Sequence, residues 1–391
     1  MSIDIFVCET KKNGTKVWLK NGLLHRTNDL PAVIKRNGNK EWWIDGKRHR
    51  DGDKPAVIRS DGTMKWWFHG KIHRYGDNPA VIWFNKTKEW WYNSMLHREN
   101  DKPAVIYNDG TQEWWYRSKR HRDGDKPAVI YSDGTQNWWY KGKRHRDGDN
   151  PAIIYIINDN PLEIINEWWV DGKKHRAGDK PAIVSYNGTQ EWWYKGKRHR
   201  DGDKPAAIYI DNSKQWFFNG LLHRDNDKPA IIYDNGDKEW WIDGKKHRDD
   251  DKPAVITSYV KEWWVDDEIH RDGGKPASIY KYQDHKTWYF KGKIHRDGDK
   301  PAIESPVLKE WWINDKLHRK DGPAIISEGF YKRTEFFWNG LKFDEDDYYN
   351  MLDYKNNIYK NNYNMLLKID KLPTDIINII MTYVIDFPCI Q

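Results

Sequence analysis

The chain has 391 residues, 32% of them charged, and a mean hydropathy of −1.02, values that would suit a disordered polymer were it not for 25 tryptophans and 15% aromatic residues. Lys and Arg number 66 against 59 Asp and Glu, and a net charge of +7 over this length leaves no basic stripe of the kind that phosphate backbones require. The two cysteines, Cys8 and Cys389, lie at opposite ends, which excludes a disulfide framework and a zinc site built on cysteine spacing and points to a reducing compartment.

Residues 1–14 read as an N-terminal cap. They carry no signal peptide, and no run in the chain approaches the ~18 apolar residues of a membrane span. A cytoplasmic protein without a transmembrane segment is expected. From residue 15 to residue 343 the chain repeats. His-Arg recurs thirteen times from His25 to His318, mostly 24 residues apart, and each pair is followed by Pro-Ala. A fixed period in this range marks a repeat array, in which each copy buries its apolar surface against its neighbours.

One copy, Asp109 to Gly134, shows the pattern. Glu113-Trp114-Trp115-Tyr116 is an aromatic run of the kind strands favour. Arg117-Ser118 fills a slot held elsewhere by Asn-Gly, Asp-Gly or Lys-Gly, residues that tolerate the positive φ of a two-residue hairpin turn. Lys119–Arg122 returns, Asp123-Gly124-Asp125-Lys126-Pro127 interrupts it as a left-handed bulge, and Ala128–Tyr131 resumes the strand before the Asp133-Gly134 turn. The fold class expected is all-β: an elongated, twisted antiparallel sheet of about thirteen two-strand units of 24 residues. Alternation places Trp114 and Trp115 on opposite faces, as it does Trp138 and Trp139 in the next copy. The segment around Ile156–Asn166, where the period lengthens, reads as a longer loop.

The stretch Asp133 to Tyr155, DGTQNWWYKGKRHRDGDNPAIIY, resembles the MORN-type β-hairpin repeat, with an aromatic strand, an Asn-Gly-type turn, Lys-x-His and a second strand ending in Asp-Gly. It is closer to a variant with Trp-Trp and His-Arg-x-x-Gly-x-Pro-Ala, of the sort found in large DNA viruses and phages. The resemblance implies a non-enzymatic scaffold, in the host cytoplasm or the virion if the source is viral. Peripheral lipid binding, credited to some MORN arrays, stays open because Trp-Trp and Asp-Gly-Asp-Lys-Pro-Ala depart from their pattern.

Residues 344–391 form a different, α-helical segment, with helices expected over Tyr348–Leu352 and Tyr363–Ile369. The stretch 372–385 resembles the first helix of an F-box: Leu372, Pro373, Asp375, Ile376, Ile380 and Tyr383 match its pattern, and Ile379 shares their face. That resemblance implies binding to a Skp1-like adaptor of a cullin-type ubiquitin ligase. A docking cap over the last strand is the alternative role for this helix.

Thirteen histidines at one slot invite a metal, but equivalent positions two strands apart are separated by ~9.5 Å, too far to share an ion whose ligands sit at ~2.0–2.1 Å. A structural role is therefore expected for His121, Arg122, Asp125 and Pro127, and for His145 and Arg146: the His-Arg pair hydrogen-bonds the bulge. The tryptophans are expected to form the core rather than to stack nucleic-acid bases. No metal, cofactor or catalytic residue is expected, and no enzyme, because no nucleophile with a base and no phosphate-cradling loop stands out from the repeats. The function expected is a protein-interaction scaffold. A structural or surface component of a virus particle, and polyanion binding along the aromatic-basic faces, remain as alternatives.

Overall fold

The computed structural model of the protein describes residues 4–157, 160–282, 284–329 and 332–367. The F-box-like stretch 372–385 lies outside the described residues. The chain divides into two compact units, Met1–Leu221 and Leu222–Gln391. Both are built almost wholly from antiparallel hairpins, and the second also carries a helix.

Each repeat contributes to two layers of strand. In the inner layer of the N-terminal unit, Gln112–Glu113 pairs on one side with Val105–Ile106 of the preceding copy, across the Asp109-Gly110 turn, and on the other with Val129–Ile130 of its own copy. Val129–Ile130 continues the sheet to Gln136–Asn137. The outer layer consists of short hairpins such as Trp115–Tyr116 with Lys119–Arg120. Neighbouring outer hairpins are joined by turn amides, as when Ser118 N–H donates to the Leu96 carbonyl at 2.9 Å and Gly142 N–H to that of Arg120 at 2.9 Å. The C-terminal unit repeats the scheme, with Lys238–Glu239 against Val255–Ile256 and Trp241–Ile242 against Lys245–Lys246.

The aromatic run is not one uninterrupted strand. Trp114 sits between the layers, donating its N–H to the Ala128 carbonyl (2.8 Å) and accepting from His121 N–H (3.1 Å). One residue thus faces the whole loop from His121 to Ala128, so the interruption is a multi-residue loop rather than a one-residue bulge. The left-handed position expected within it is present, with Gly124 at φ 71° and Asn100 at 60°. The first tryptophan of each pair and the alanine of Pro-Ala make the core: Trp114 is 6% exposed and Trp138 5%, and Ala104, Ala128 and Ala152 are fully buried. The alanine of each Pro-Ala pair is fully buried from Ala32 to Ala324, and that slot never varies.

Two further expectations differ from the structure. The lengthened period around Ile156–Asn166 is not a loop but a longer hairpin. Ile153–Ile157 pairs with Asn160–Glu167, as the run of β-branched isoleucines favours. The helix expected at Tyr348–Leu352 and residues 363–367 of the one expected at Tyr363–Ile369 belong to one helix, Glu345–Leu367 (α1), and residues 368–369 lie outside the described residues. No proline or glycine breaks the intervening asparagine-rich segment, and Glu345, Asp346 and Asp347 favour its positive end. Helix α1 lays Tyr348, fully buried, against Phe336 and Trp338, with Met351 and Leu352 beside it. Within the segment expected to cap the other end, Phe6–Thr10 forms a strand paired with Lys16–Lys20.

Candidate functional site

The residues that recur most strictly form three kinds of contact. The first is a clamp around the buried tryptophan. Trp114 donates its indole N–H to the Asp101 carbonyl of the preceding loop (3.0 Å), and the Arg122 guanidinium lies over its ring at 3.8 Å. Arg122 in turn donates to both carboxylate oxygens of Asp101 (2.6 and 3.1 Å) and to the Pro127 carbonyl (3.2 Å), while Lys126 reaches Asp101 at 2.7 Å. In the next copy Asp125 takes the place of Asp101, accepting from Arg146, which covers Trp138 at 3.8 Å. The arginine therefore bridges to the loop of the previous repeat instead of bonding only its own bulge, as the sequence had suggested. Hydrogen bonds from Arg122 and then Lys126 hold the Asp101 carboxyl down at about 2.

The second is a column of alternating rings and cations built from the other tryptophan. Arg120 lies between Trp115 and Trp139, at 5.1 and 5.3 Å, and Arg144 between Trp139 and Trp169, at 5.2 and 5.1 Å. The column continues through Lys174, Trp193 and Arg198 to Phe217. Where a glutamate holds the residue before the pair, it closes the step: Glu113 accepts the Trp115 indole N–H at 2.7 Å and the Arg120 guanidinium at 2.8 Å. Asn137 stands at that slot in the following repeat, and there the Trp139 indole N–H and the Arg144 Nε are buried without a partner.

The third is the histidine. His121 Nε2 meets the Asp123 carboxylate at 3.1 Å, and its Nδ1 accepts the backbone N–H of Lys141, the turn residue of the next repeat, at 3.4 Å. His145 makes the same two contacts, with Asp147 (3.0 Å) and the Asp171 N–H (3.1 Å). An Nδ1 that accepts from a backbone amide leaves Nε2 as the donor, so each such ring is fixed in one neutral tautomer. His121 and Arg122 thus bond to their own loop, through Asp123 and the Pro127 carbonyl, and to neighbouring copies, through Lys141 and Asp101.

What the clamps, columns and histidines leave unspent is a row of outward rings on the outer hairpins. In the N-terminal unit Tyr92, Tyr116, Tyr140, Tyr194 and Phe218 are each about half exposed. His97, His121 and His199 touch Tyr116, Tyr140 and Phe218 edge-on at 4.9–5.2 Å. Arg117 and Lys141, at the turn tips, lie 5.2 and 4.9 Å from the rings they follow. Sequence reasoning passed over this row because tyrosine alternates there with valine, isoleucine and phenylalanine; the signal was the recurring position, not the residue type.

Shallow grooves of about 220–410 Å³ lie between successive loops. Each is lined by the same His, Arg, Asp and Trp side chains already tied into the contacts above, so none holds a distinctive reactive group. Among the described residues no cluster of three or more His, Cys, Asp or Glu side chains could hold a metal ion, and no helix is long and apolar enough to cross a membrane. Compared with known proteins, the chain matches no family model, and no curated protein matches it.

Proposed function

We propose that the protein is a non-enzymatic scaffold of MORN-like hairpin repeats that binds a protein partner along the row of Tyr92, Tyr116, Tyr140, Tyr194 and Phe218. The observation that carries this reading is the division of labour within the repeat. The arginine and aspartate side chains of the clamp are tied to one another between copies, whereas the outward rings recur at one position and each leaves about half of its surface exposed. Exposed tyrosines beside a flexible cation are the residue type that anchors protein interfaces, because they bring large area at small entropic cost. Polyanion binding is the weaker reading, since the arginines that would meet phosphates are already matched by Asp101, Asp125 and their equivalents.

The proposal extends to the C-terminus, where Leu372, Pro373, Asp375, Ile376, Ile379, Ile380 and Tyr383 would engage a Skp1-like adaptor and bring the captured partner to a ubiquitin ligase. Two variants separate the halves of the reading. Replacing Tyr116, Tyr140 and Tyr194 together by serine should abolish partner capture from host extract while leaving the circular dichroism unchanged; capture of the same partners would end the row's role. Deleting residues 372–391 should abolish binding of a purified Skp1-like adaptor, and binding that survives the deletion, or none by the intact chain, would remove the adaptor.

A further inference from the structure

The strand Phe6–Thr10 is an open edge. Among the described residues it pairs only with Lys16–Lys20, and all five of its residues are exposed. Phe6 is 60% exposed, and Ile5 and Val7 beside it are exposed as well. Natural sheets blunt such edges with lysine, proline, bulges or a covering element, and this strand has none of them. The last hairpin of the C-terminal unit is treated differently, for helix α1 covers it with Tyr348.

The hydrogen-bond phase of the edge is fixed. Ile5 accepts from Asn21 N–H and Lys11 N–H donates to the Thr15 carbonyl, both at 2.9 Å. Antiparallel strands alternate between bonded and non-bonded pairs, so Val7 and Glu9 face Lys16–Lys20. The N–H and C=O groups of Phe6, Cys8 and Thr10 then point outward. Trp18, opposite Cys8, accordingly donates away from this strand, to Ala32 at 2.9 Å.

We infer that Phe6–Thr10 is a dimerisation strand that pairs antiparallel with the same strand of a second copy, centred on Cys8. Only this register uses all the outward groups at once, with Phe6 opposite Thr10 of the other copy, Cys8 opposite Cys8 and Thr10 opposite Phe6. Glu9 falls opposite Val7, so no like charges meet. An edge that pairs with its own copy in this way uses the same surface on both partners and gives a closed two-fold pair. The inference stands on the edge alone and does not rest on the scaffold reading.

Facing residues of a bonded antiparallel pair lie ~5.5 Å apart between Cα atoms, within the ~4.4–6.8 Å that a disulfide spans. In a full-length chain carrying Cys389→Ser, mild oxidation should therefore yield a Cys8–Cys8 linked dimer, and sedimentation velocity of the reduced protein should show a dimer. Cys8→Pro removes one outward N–H and touches no bond to Lys16–Lys20, so it should leave a folded monomer. If that variant misfolds, the register is read another way. With Cys8 and Cys389 both replaced by serine, a Phe6→Cys chain should crosslink with a Thr10→Cys chain, and neither with itself. A reduced wild type that stays monomeric, a dimer that survives Cys8→Pro in a folded chain, or self-crosslinking as efficient as the mixed pair would each overturn the inference.

Discussion

Asn137→Glu should stabilise the protein. In the repeat before it, Glu113 is 4% exposed and still ionically satisfied, because it accepts from Trp115 and Arg120 together. Asn137 occupies the equivalent site at 3% exposure, where its own Oδ1, the Trp139 indole N–H and the Arg144 Nε are all buried without partners. A buried donor left unmade costs ~1–3 kcal/mol. Glutamate at 137 would accept from the Trp139 indole and the terminal guanidinium nitrogen of Arg144, as Glu113 does from Trp115 and Arg120, whose own Nε stays buried without a partner; it would also give Arg144 a counter-charge, against the cost of bringing one carboxylate out of water. With desolvation set against two restored hydrogen bonds, the net gain is about 1–2 kcal/mol. Glu113→Asn is the mirror change and should cost a similar amount. Equilibrium denaturation by urea reads both, with Asn137→Gln separating charge from shape. An Asn137→Glu protein no more stable than Asn137→Gln would refute the account of the column as a charge-closed stack.

The clamp yields a companion test. Gly274 stands where other repeats have the bridging aspartate, and Arg296, lacking that partner, reaches Glu304 at 3.5 Å instead. Since Gly274 has φ 64° with open space around a Cβ, and Asp101 and Asp251 hold the same slot at φ 53° and 51°, Gly274→Asp should add about 0.5–1 kcal/mol and Gly274→Asn should not, as thermal melts would show. Trp114→Ala should cost about 3–5 kcal/mol and Trp115→Ala about 1–2 kcal/mol, because the first ring is buried and the second only half so. Asp315→Gly should cost about 0.5–1 kcal/mol by chemical denaturation despite easing a φ of 62°, since Asp315 accepts the Ile294 N–H at 2.8 Å. The Asp101 carboxyl, held at about 2 instead of 3.8, contributes stability that is complete above its ordinary value and is lost as pH falls from there toward 2. Melting temperatures should hold steady down to about pH 4 and fall below it; a decline beginning well above that would place the acid-sensitive group elsewhere.

The hairpins were legible in the sequence because each local signal agrees with the next. Asn-Gly and Asp-Gly turns, the paired tryptophans and the Pro-Ala strand each specify the same reversal. The sequence also marked the slots at which glycine is replaced, though not why: Ser118 and Asp315 carry oxygens that accept amide hydrogens of the preceding hairpin, Leu96 N–H and Ile294 N–H. What periodicity could not show was where the arginine points. Arg122 and Asp125 lie three residues apart, which suggested a bond within one loop, yet the partner of Arg122 is Asp101, one repeat earlier. Stacking between repeats shifts every ladder by one copy, and no reading of a single copy contains that shift. The inserted isoleucines of Ile153–Ile157 were misread for a related reason, because extra length in one repeat was taken for a loop without asking whether the added residues favour strands.

In an array, strict recurrence and function separate. A slot filled identically in every copy is one whose neighbours are themselves repeats, so its residue answers to the stacking and carries no information about a ligand. Ala128, Arg122 and Trp114 are of this kind, each enclosed by groups from adjacent copies. Positions that face away from the stack are released from that constraint, and there the copies differ: Tyr116, Val170, Tyr194, Phe218, Ile242 and Phe290 occupy one outward slot. A partner that reads the array must distinguish one repeat from another through such positions. Specificity is therefore expected to follow the order of these side chains, so exchanging Tyr140 and Val170 should alter partner affinity while leaving the melting temperature nearly unchanged. An affinity indifferent to that exchange would move the binding face to the opposite side of the hairpins.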